Sequence, residues 1–479
     1  MLKENKKALL IQMFEKWAGE EARSYVMLPP SGSYREYYRI TGRTKTAMGA
    51  YNADLKENRA FLEFSDHFKS KGLPVPEIYE RDDVNHVYLQ EDLGDVTLYG
   101  FLLGMRKGKA FPIELIEFYK KTIAKLVCFQ VKGGEGLDYS NCYPRKAFDK
   151  QSMLWDLHYF KYYFLKLARV PFDEQSLEDD YHQLIDFLLE ADHDHFLYRD
   201  FQSRNVMVVN DEPWFIDYQG GRKGALQYDL ASLLFDAKAD IPHEVRKELL
   251  DYYVERLSEY KQVDKEEFVH HYYGYVLIRI MQAMGAYGFR GFYEKKEHFL
   301  KSIPYAINNL KYLLDNIDFK VELPTLLAAL KNVTESEELK TIGQNETSLT
   351  VKITSFSFKR GVPVDVSGNG GGFVFDCRAI HNPGRYPEYS DKTGKDEEVI
   401  AFFGKEPEMA DFLQDVYSIV DKSVEKYISR GFKNLMVNFG CTGGQHRSVY
   451  SAEQLANHLQ HKYKLVVDLK HVEQDMKKK

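Results

Sequence analysis

The stretch that most restricts what this chain can become runs Leu197-Tyr198-Arg199-Asp200-Phe201-Gln202-Ser203-Arg204-Asn205-Val206-Met207-Val208-Val209 and closes on Phe215-Ile216-Asp217. An Asp, an Asn five positions later, a β-branched run, a polar turn and a second Asp behind a hydrophobic pair together suit a catalytic loop for phosphoryl transfer. That chemistry needs one carboxylate to accept the proton of an attacking hydroxyl. It also needs an amide and a second carboxylate to hold the magnesium ions beside a triphosphate. Asp200 suits the first task, and Asn205 and Asp217 suit the second. The plain alternative is a β-hairpin turning at Asn210 and Asp211, with no chemistry attached.

A loop of this kind needs a large scaffold, and 479 residues predict two or three domains. Apolar residues at 44% and aromatics at 14% can fill their cores. A net charge of −7 argues against a chain that coats nucleic acid or anionic membrane with its whole surface, while leaving room for a local basic patch. Cys128, Cys142, Cys377 and Cys441 lack metal-ligand spacing and suit a reducing cytosol. No uncharged run reaches membrane-span length, and the most apolar helical stretch, 272–289, contains Arg279. The expectation is a cytoplasmic protein without a membrane partner.

Ahead of the loop, 6–18 has helical spacing of apolar residues. Ser31-Gly32-Ser33-Tyr34 then leads into the alternating residues of a strand. Such a turn can lay backbone N–H groups over phosphates, and it can equally be an ordinary hairpin turn. A strand at 46–50 returns, followed by a helix at 54–70 with Glu57 near its start. The strand 87–90 runs directly into Gln90-Glu91-Asp92-Leu93-Gly94-Asp95, an extended connector that can offer backbone groups to an adenine ring. Asp92 and Asp95 can instead turn the chain and cap the helix expected at 97–103.

From 113 to 189 the pattern reads as helix nearly throughout. Trp155, Asp156, His158, Tyr159, Tyr162 and Tyr163 form an aromatic and polar strip there, read as helix packing with one or two members in a sugar pocket. Asp229, at a helix start just behind the loop, is expected to anchor it by hydrogen bonds. The polar run 333–348 reads as an exposed linker containing the domain boundary.

Beyond it, 351–357 and 373–377 alternate as strands. The glycines 370–372 read as a turn, because no helix follows them. A helix is expected at 409–430, then a strand at 434–439, a turn at 440–447 and a helix from 448 to 460. Free N–H groups and a positive dipole end gather at such a turn, making an anion site of Cys441, Thr442, Gly443, Gly444, His446 and Arg447. The Cys441 to Arg447 spacing also matches the loop of cysteine-dependent phosphatases. No general-acid Asp on a mobile loop is identifiable, so binding without catalysis is the favoured reading.

Two resemblances follow from these motifs. Residues 1 to about 330 resemble the aminoglycoside-phosphotransferase-like kinases, within them the bacterial kinases of N-acetylmuramate and N-acetylglucosamine. Gly32 to Arg39, Glu91-Asp92-Leu93-Gly94, Arg199-Asp200 to Asn205 and Asp217-Tyr218-Gln219 carry that resemblance. It implies ATP and Mg²⁺ as cofactors, Asp200 as base, Asn205 and Asp217 as metal ligands, and nucleotide contacts from Ser31 to Tyr34 and from Gln90 to Asp92. Two departures stand out. Tyr198 replaces the usual His, and the strand 46–50 has no phosphate-pairing lysine in register, Lys45 being the nearest.

Residues 349–479 resemble the C-terminal domain of the RNase adapter protein RapZ. Ser355 to Lys359, Phe375-Asp376-Cys377-Arg378, Asn382-Pro383, Thr393-Gly394 and Gly440 to Val449 carry this second resemblance. It implies a sugar-phosphate ligand, glucosamine 6-phosphate, on Thr442, Gly443, Gly444 and Arg447, and contact with a small RNA. The acidic balance and the short tail Lys477-Lys478-Lys479 argue against RNA.

The expected fold class is α+β. A protein-kinase-like bilobal domain spans 1–332, a linker 333–348, and a smaller α/β domain with a strand–glycine turn–helix anion site 349–479. The expected function is ATP-dependent phosphorylation of an amino sugar at its anomeric hydroxyl in cell-wall sugar recycling, with a fused sugar-phosphate sensor. The alternative is a regulatory binding protein with an inactive kinase lobe, whose C-terminal domain binds glucosamine 6-phosphate or RNA.

Overall fold

The computed structural model describes residues 2–29, 35–106, 111–294, 296–342, 349–365, 371–430, 432–463 and 465–477. The chain divides into two compact units, Met1–Ile342 and Gly343–Lys479.

The first unit opens with α1 (Leu2–Ala18), followed by five antiparallel strands: β1 (Ser24–Met27), β2 (Glu36–Thr41), β3 (Thr46–Tyr51), β4 (Ile78–Asp82) and β5 (Val87–Glu91). Their order is β1-β2-β3-β5-β4. Alternation along a strand sends neighbours to opposite faces. Ile40, Ala47, Val87 and Leu89 therefore meet Leu10 and Phe14 of α1, while Ala50 and Tyr88 meet Phe61 of α2 (Leu55–Ser70). Asp54 caps α2 by accepting the N–H groups of Lys56 and Glu57.

Helices then build the larger lobe: α3 (Leu98–Met105), α4 (Ile113–Gln130), α5 (Lys150–Phe160), α6 (Glu174–Leu188), α7 (Gln227–Leu234), α8 (His243–Ser258), α9 (Lys265–Tyr287), α10 (Glu297–Leu300), α11 (Ile303–Asn316), α12 (Pro324–Glu335) and α13 (Glu337–Thr341). The run 113–189 is thus not continuous helix, since the chain leaves it between Gln130 and Lys150. Thr97, not Asp92 or Asp95, caps α3, accepting the Gly100 N–H at 3.0 Å. Two short ladders complete the lobe. β6 (His195–Leu197) pairs with β9 (Arg222–Gly224), and β7 (Val206–Val209) with β8 (Glu212–Phe215).

The expected linker needs correction in its first half. Val333 and Leu339, 0% and 4% exposed, join the core of the first unit, and the Ser336 hydroxyl accepts the Leu339 N–H to start α13. The polarity of this run belongs to the outer face of two amphipathic helices, where Glu335, Glu337 and Glu338 lie exposed. Residues 343–348 lie outside the described residues.

The second unit is a parallel sheet ordered β11-β12-β10-β13, built from β10 (Thr350–Ser357), β11 (Phe373–Asp376), β12 (Asn434–Cys441) and β13 (Val466–His471). Its helices are α14 (Glu397–Phe403), α15 (Pro407–Arg430), α16 (Arg447–Tyr463) and α17 (Val472–Lys477). Val351, Ile353, Val437 and Phe439 of the central strands pack with Val416, Val420, Ala452 and Leu455. Of the three glycines expected in a turn, Gly370 lies outside the described residues. Among the described residues, no helix is long and apolar enough to cross a membrane.

If 333–342 is packed helix rather than linker, Leu339→Ala will destabilise the first unit by about 2–3 kcal/mol, as core truncations do. Urea unfolding followed by circular dichroism reads this directly; a linker residue would leave the midpoint unmoved.

Candidate functional site

The hairpin forms, and its return strand brings the three candidate loop residues together. Val206 pairs with Phe215 and Val209 with Glu212. The two turn residues, Asn210 (φ 51°) and Asp211 (φ 61°), are left-handed, as a two-residue hairpin turn of matching twist requires. The return strand brings Asp217 back to Asn205, twelve residues earlier. The Asn205 amide Nδ2 donates to the Asp200 carbonyl oxygen at 2.8 Å and to Asp217 Oδ2 at 3.1 Å. One side chain therefore ties the three residues together.

The loop is clamped from behind. The fully buried Asp229 carboxylate accepts the backbone N–H groups of Tyr198 at 2.8 Å and Arg199 at 2.9 Å, and the Gln130 amide at 3.2 Å. Burial pushes its carboxyl up to about 7, against the pull of those two N–H groups. The expectation of an anchor at Asp229 agrees with this geometry. Arg199 sits at φ 83°, and its guanidinium makes a two-pronged contact with Asp156 at 2.7 and 2.8 Å. Asp156 of the aromatic strip is thereby used as a clamp, whereas Trp155 and Tyr162 are exposed. Tyr198, where the resemblance expects His, is fully buried and donates its hydroxyl to the Ile216 carbonyl at 2.7 Å. It joins the loop to the residue just before Asp217.

In front of the loop, Gln219 extends the network. Its Nε2 donates to Asp217 Oδ1 at 2.7 Å and to Glu57 Oε1 at 3.1 Å, a contact spanning 162 residues. Burial first, and then the neighbouring Asp200 carboxylate, raise the Asp217 carboxyl above its ordinary value. The Gln219 Oε1 is a buried acceptor with no partner among the described residues. Sequence reading missed the roles of Gln219 and Glu57. Gln219 stood in the Asp217-Tyr218-Gln219 motif and Glu57 near its helix start, but nothing in one dimension joins them.

The nucleotide residues divide. Ser31, Gly32, Ser33 and Tyr34 lie outside the described residues. Gln90 is buried at the end of β5, between β3 and β4. The Glu91 N–H donates to the Glu77 carbonyl at 2.9 Å. The Asp92 side chain is engaged by Arg39, which holds both its oxygens at 2.6 and 2.9 Å and also contacts Asp95. An Arg on β2 attracts two of the connector's three carboxylates, and Asp92 Oδ1 also accepts the Gly94 N–H at 3.0 Å, turning the chain there.

In the second unit, all four strands point their carboxyl ends at the glycine turn, the end where open parallel sheets present ligands. Thr442 and Gly443 are exposed, and a Cβ added at Gly443 would touch nothing. Gly444 (φ 64°) is crowded, since a Cβ there would lie 2.5 Å from the Glu473 side chain and 2.8 Å from the Ser357 nitrogen. The remaining expected anion contacts turn inward. Arg447 Nη1 donates to the carbonyls of Arg378 and Ile380, both at 2.9 Å. His446 Nε2 lies 2.8 Å from the Tyr389 carbonyl. The buried Cys441 Sγ accepts the Gly444 N–H at 3.2 Å and lies 3.1 Å from the Ser448 hydroxyl. Arg447 and His446 fasten the neighbouring loops because those loops offer carbonyls that burial would otherwise leave unsatisfied.

Residues 28–265 match the phosphotransferase enzyme family, and residues 349–475 match the RapZ C-terminal domain. The chain joins a phosphotransferase-family domain to a RapZ C-terminal domain. The phosphotransferase domain has the protein-kinase-like fold, and the RapZ-type domain is a separate α/β unit with a parallel sheet. Two curated relatives are nucleotide-binding proteins. One, from Psychrobacter sp. (strain PRwf-1), is 36% identical over 162 residues, 33% of this chain and 48% of that protein. The other, from Thermotoga sp. (strain RQ2), is 41% identical over 111 residues, 23% of this chain and 38% of that protein. The chain thus spans less than half the length of either. Among solved structures, choline kinase from Cryptosporidium parvum Iowa II is 11% identical with a TM-score of 0.47, covering 68% of this chain and 99% of that one. Plasmodium vivax ethanolamine kinase is 12% identical with a TM-score of 0.44, covering 60% and 81%.

In the phosphotransferase domain, Tyr198→Phe will leave the Ile216 carbonyl without its buried donor and lower stability by about 1–2 kcal/mol. A thermal melt of the full chain checks this; an unchanged melting temperature would show that the Tyr198 hydroxyl does not hold the loop.

Proposed function

We propose that the phosphotransferase domain transfers the γ-phosphoryl group of ATP to the anomeric hydroxyl of an amino sugar of the N-acetylmuramate or N-acetylglucosamine kind. The observation that carries this reading is the single network joining Asp200, Asn205 and Asp217. Asp200 accepts the proton of the attacking hydroxyl and orients its oxygen in line with the phosphorus. The sugar itself rests on the motif resemblance of residues 32–39, 91–94, 199–205 and 217–219.

The residues present fit magnesium. Asp217 and the Asn205 amide oxygen are hard oxygen donors, and a magnesium site of this kind takes only one or two carboxylates, the rest being phosphates and water. The pair of close carboxylates, and the buried Gln219 Oε1 beside them, also suit a cation and its water shell. When bound, the ion neutralises charge developing on the phosphates. Asn205 and Gln219 orient the Asp217 carboxylate by donating to its two oxygens. Asp229 and Arg199 keep the loop backbone in place throughout.

The RapZ-type domain is read as a sensor of a sugar phosphate such as glucosamine 6-phosphate, with the phosphate at the exposed Thr442–Gly443 tip. Support comes from the carboxyl-end position of the turn and the open space at Gly443.

Asp200→Asn will lower turnover by about 10²–10⁴-fold while nucleotide binding persists. The assay runs N-acetylmuramate, N-acetylglucosamine, choline and an aminoglycoside side by side, and no phosphorylation of either sugar by the wild-type chain would overturn the assignment. For the sensor, calorimetric titration of glucosamine 6-phosphate is expected to give binding that Gly443→Asp abolishes by like-charge repulsion. Silent wild-type protein would remove the claim.

A further inference from the structure

Protein kinases place a lysine on the third strand of the small lobe, where it pairs with a glutamate of the following helix. Here β3 reads Thr46-Ala47-Met48-Gly49-Ala50-Tyr51 and carries no cation. Ala50, fully buried, faces α2 in the core containing Phe61 and Tyr88.

Glu57 on α2 nevertheless has a positive partner. Arg35, directly preceding β2, places Nη2 3.1 Å from Glu57 Oε1, with its side chain 1% exposed and its guanidinium 5.1 Å from the Phe61 ring centre. The Asn52 amide holds Glu57 Oε2 at 2.9 Å. Tyr37 pairs with Ala50 across the β2–β3 ladder. Arg35, two residues before Tyr37, therefore lies on the same face as Ala50, displaced along the hairpin by two residues. Glu57 Oε1 also receives Gln219 Nε2, whose second acceptor is Asp217 Oδ1. The contacts run without a gap from Arg35 through Glu57 and Gln219 to Asp217, Asn205 and the Asp200 carbonyl.

We propose that Arg35 takes over the task of the absent strand lysine: it neutralises Glu57 and, through Glu57 and Gln219, sets the Asp217 carboxylate for a metal-bound nucleotide. This inference rests on the phosphotransferase reading. Arg35 is a positioning residue, since it acts through Glu57 and Gln219. Removing its charge leaves Glu57 and Asp217 as two carboxylates sharing one amide nitrogen, which favours rotation of the Gln219 amide and release of Asp217. The cation's address has moved in sequence while its electrostatic task has stayed. On this view the missing lysine is no sign of an inactive lobe.

The test uses the full chain and calorimetric binding of ADP, with and without Mg²⁺, alongside sugar-kinase turnover. Arg35→Met is expected to weaken Mg·ADP binding by about 10-fold or more, the scale of one lost charge-assisted contact, while metal-free ADP binding changes by less than about 3-fold. Arg35→Lys should recover most of the loss. Adding Ala50→Lys to Arg35→Met should recover part of it, because the cation returns to the strand. If Arg35→Met does not fold, Glu57→Gln keeps the hydrogen-bonding shape and must show the same metal-selective loss. Equal losses with and without metal, or unchanged Mg·ADP binding, overturn the proposal and leave the phosphotransferase reading intact. A wild-type chain that binds no nucleotide and phosphorylates no acceptor overturns both.

Discussion

Everything around the candidate active site follows from the burial of carboxylates. Asp229 is fully removed from water and Asp217 partly so, with Asp200 close to each, and a desolvated negative charge is tolerated only when donors surround it. The structure supplies those donors from four parts of the chain: backbone N–H groups of the loop itself, Asn205 within it, Gln219 two residues after Asp217, and Gln130 from α4. The left-handed backbone at Arg199 and Asp217 is a consequence. Strain on the order of 1–3 kcal/mol per residue persists because these contacts over-determine the conformation.

The small lobe is tied to this centre by charge rather than by apolar packing alone. Arg35 and Glu57 form an ion pair at the base of α2, and Arg39 gathers Asp92 and Asp95 at the connector. Two arginines of one strand region therefore divide the work: one shapes the connector, the other reaches toward the loop carboxylates through Glu57. In the RapZ-type domain, arginine is used in the opposite sense. Arg447 donates Nη1 to the carbonyls of Arg378 and Ile380, while Thr442 and Gly443 stay exposed.

Much of this was legible in the sequence. The spacing of Asp200, Asn205 and Asp217 foretold a loop, and the Asn210-Asp211 turn foretold the hairpin that closes it. The hairpin and the loop are compatible, since period-2 alternation and turn residues say that a hairpin forms and not what it carries. The polar run at 333–342 misled for a related reason: the exposed face of an amphipathic helix has the composition of a linker, and only Val333 and Leu339 mark the buried side.

By itself, then, the sequence determined most local elements, the two-part organisation and the residue types of both candidate sites, because caps, periodicity and turn chemistry act over a few residues. Tertiary structure alone decided which polar groups meet: Gln219 with Glu57 across 162 residues, Arg35 with Glu57 where β3 carries no lysine, Arg447 with the carbonyls of two loop residues. Those pairings are set by which charges the fold removes from water together. Desolvation is a property of the assembled core, and no window along the chain contains it.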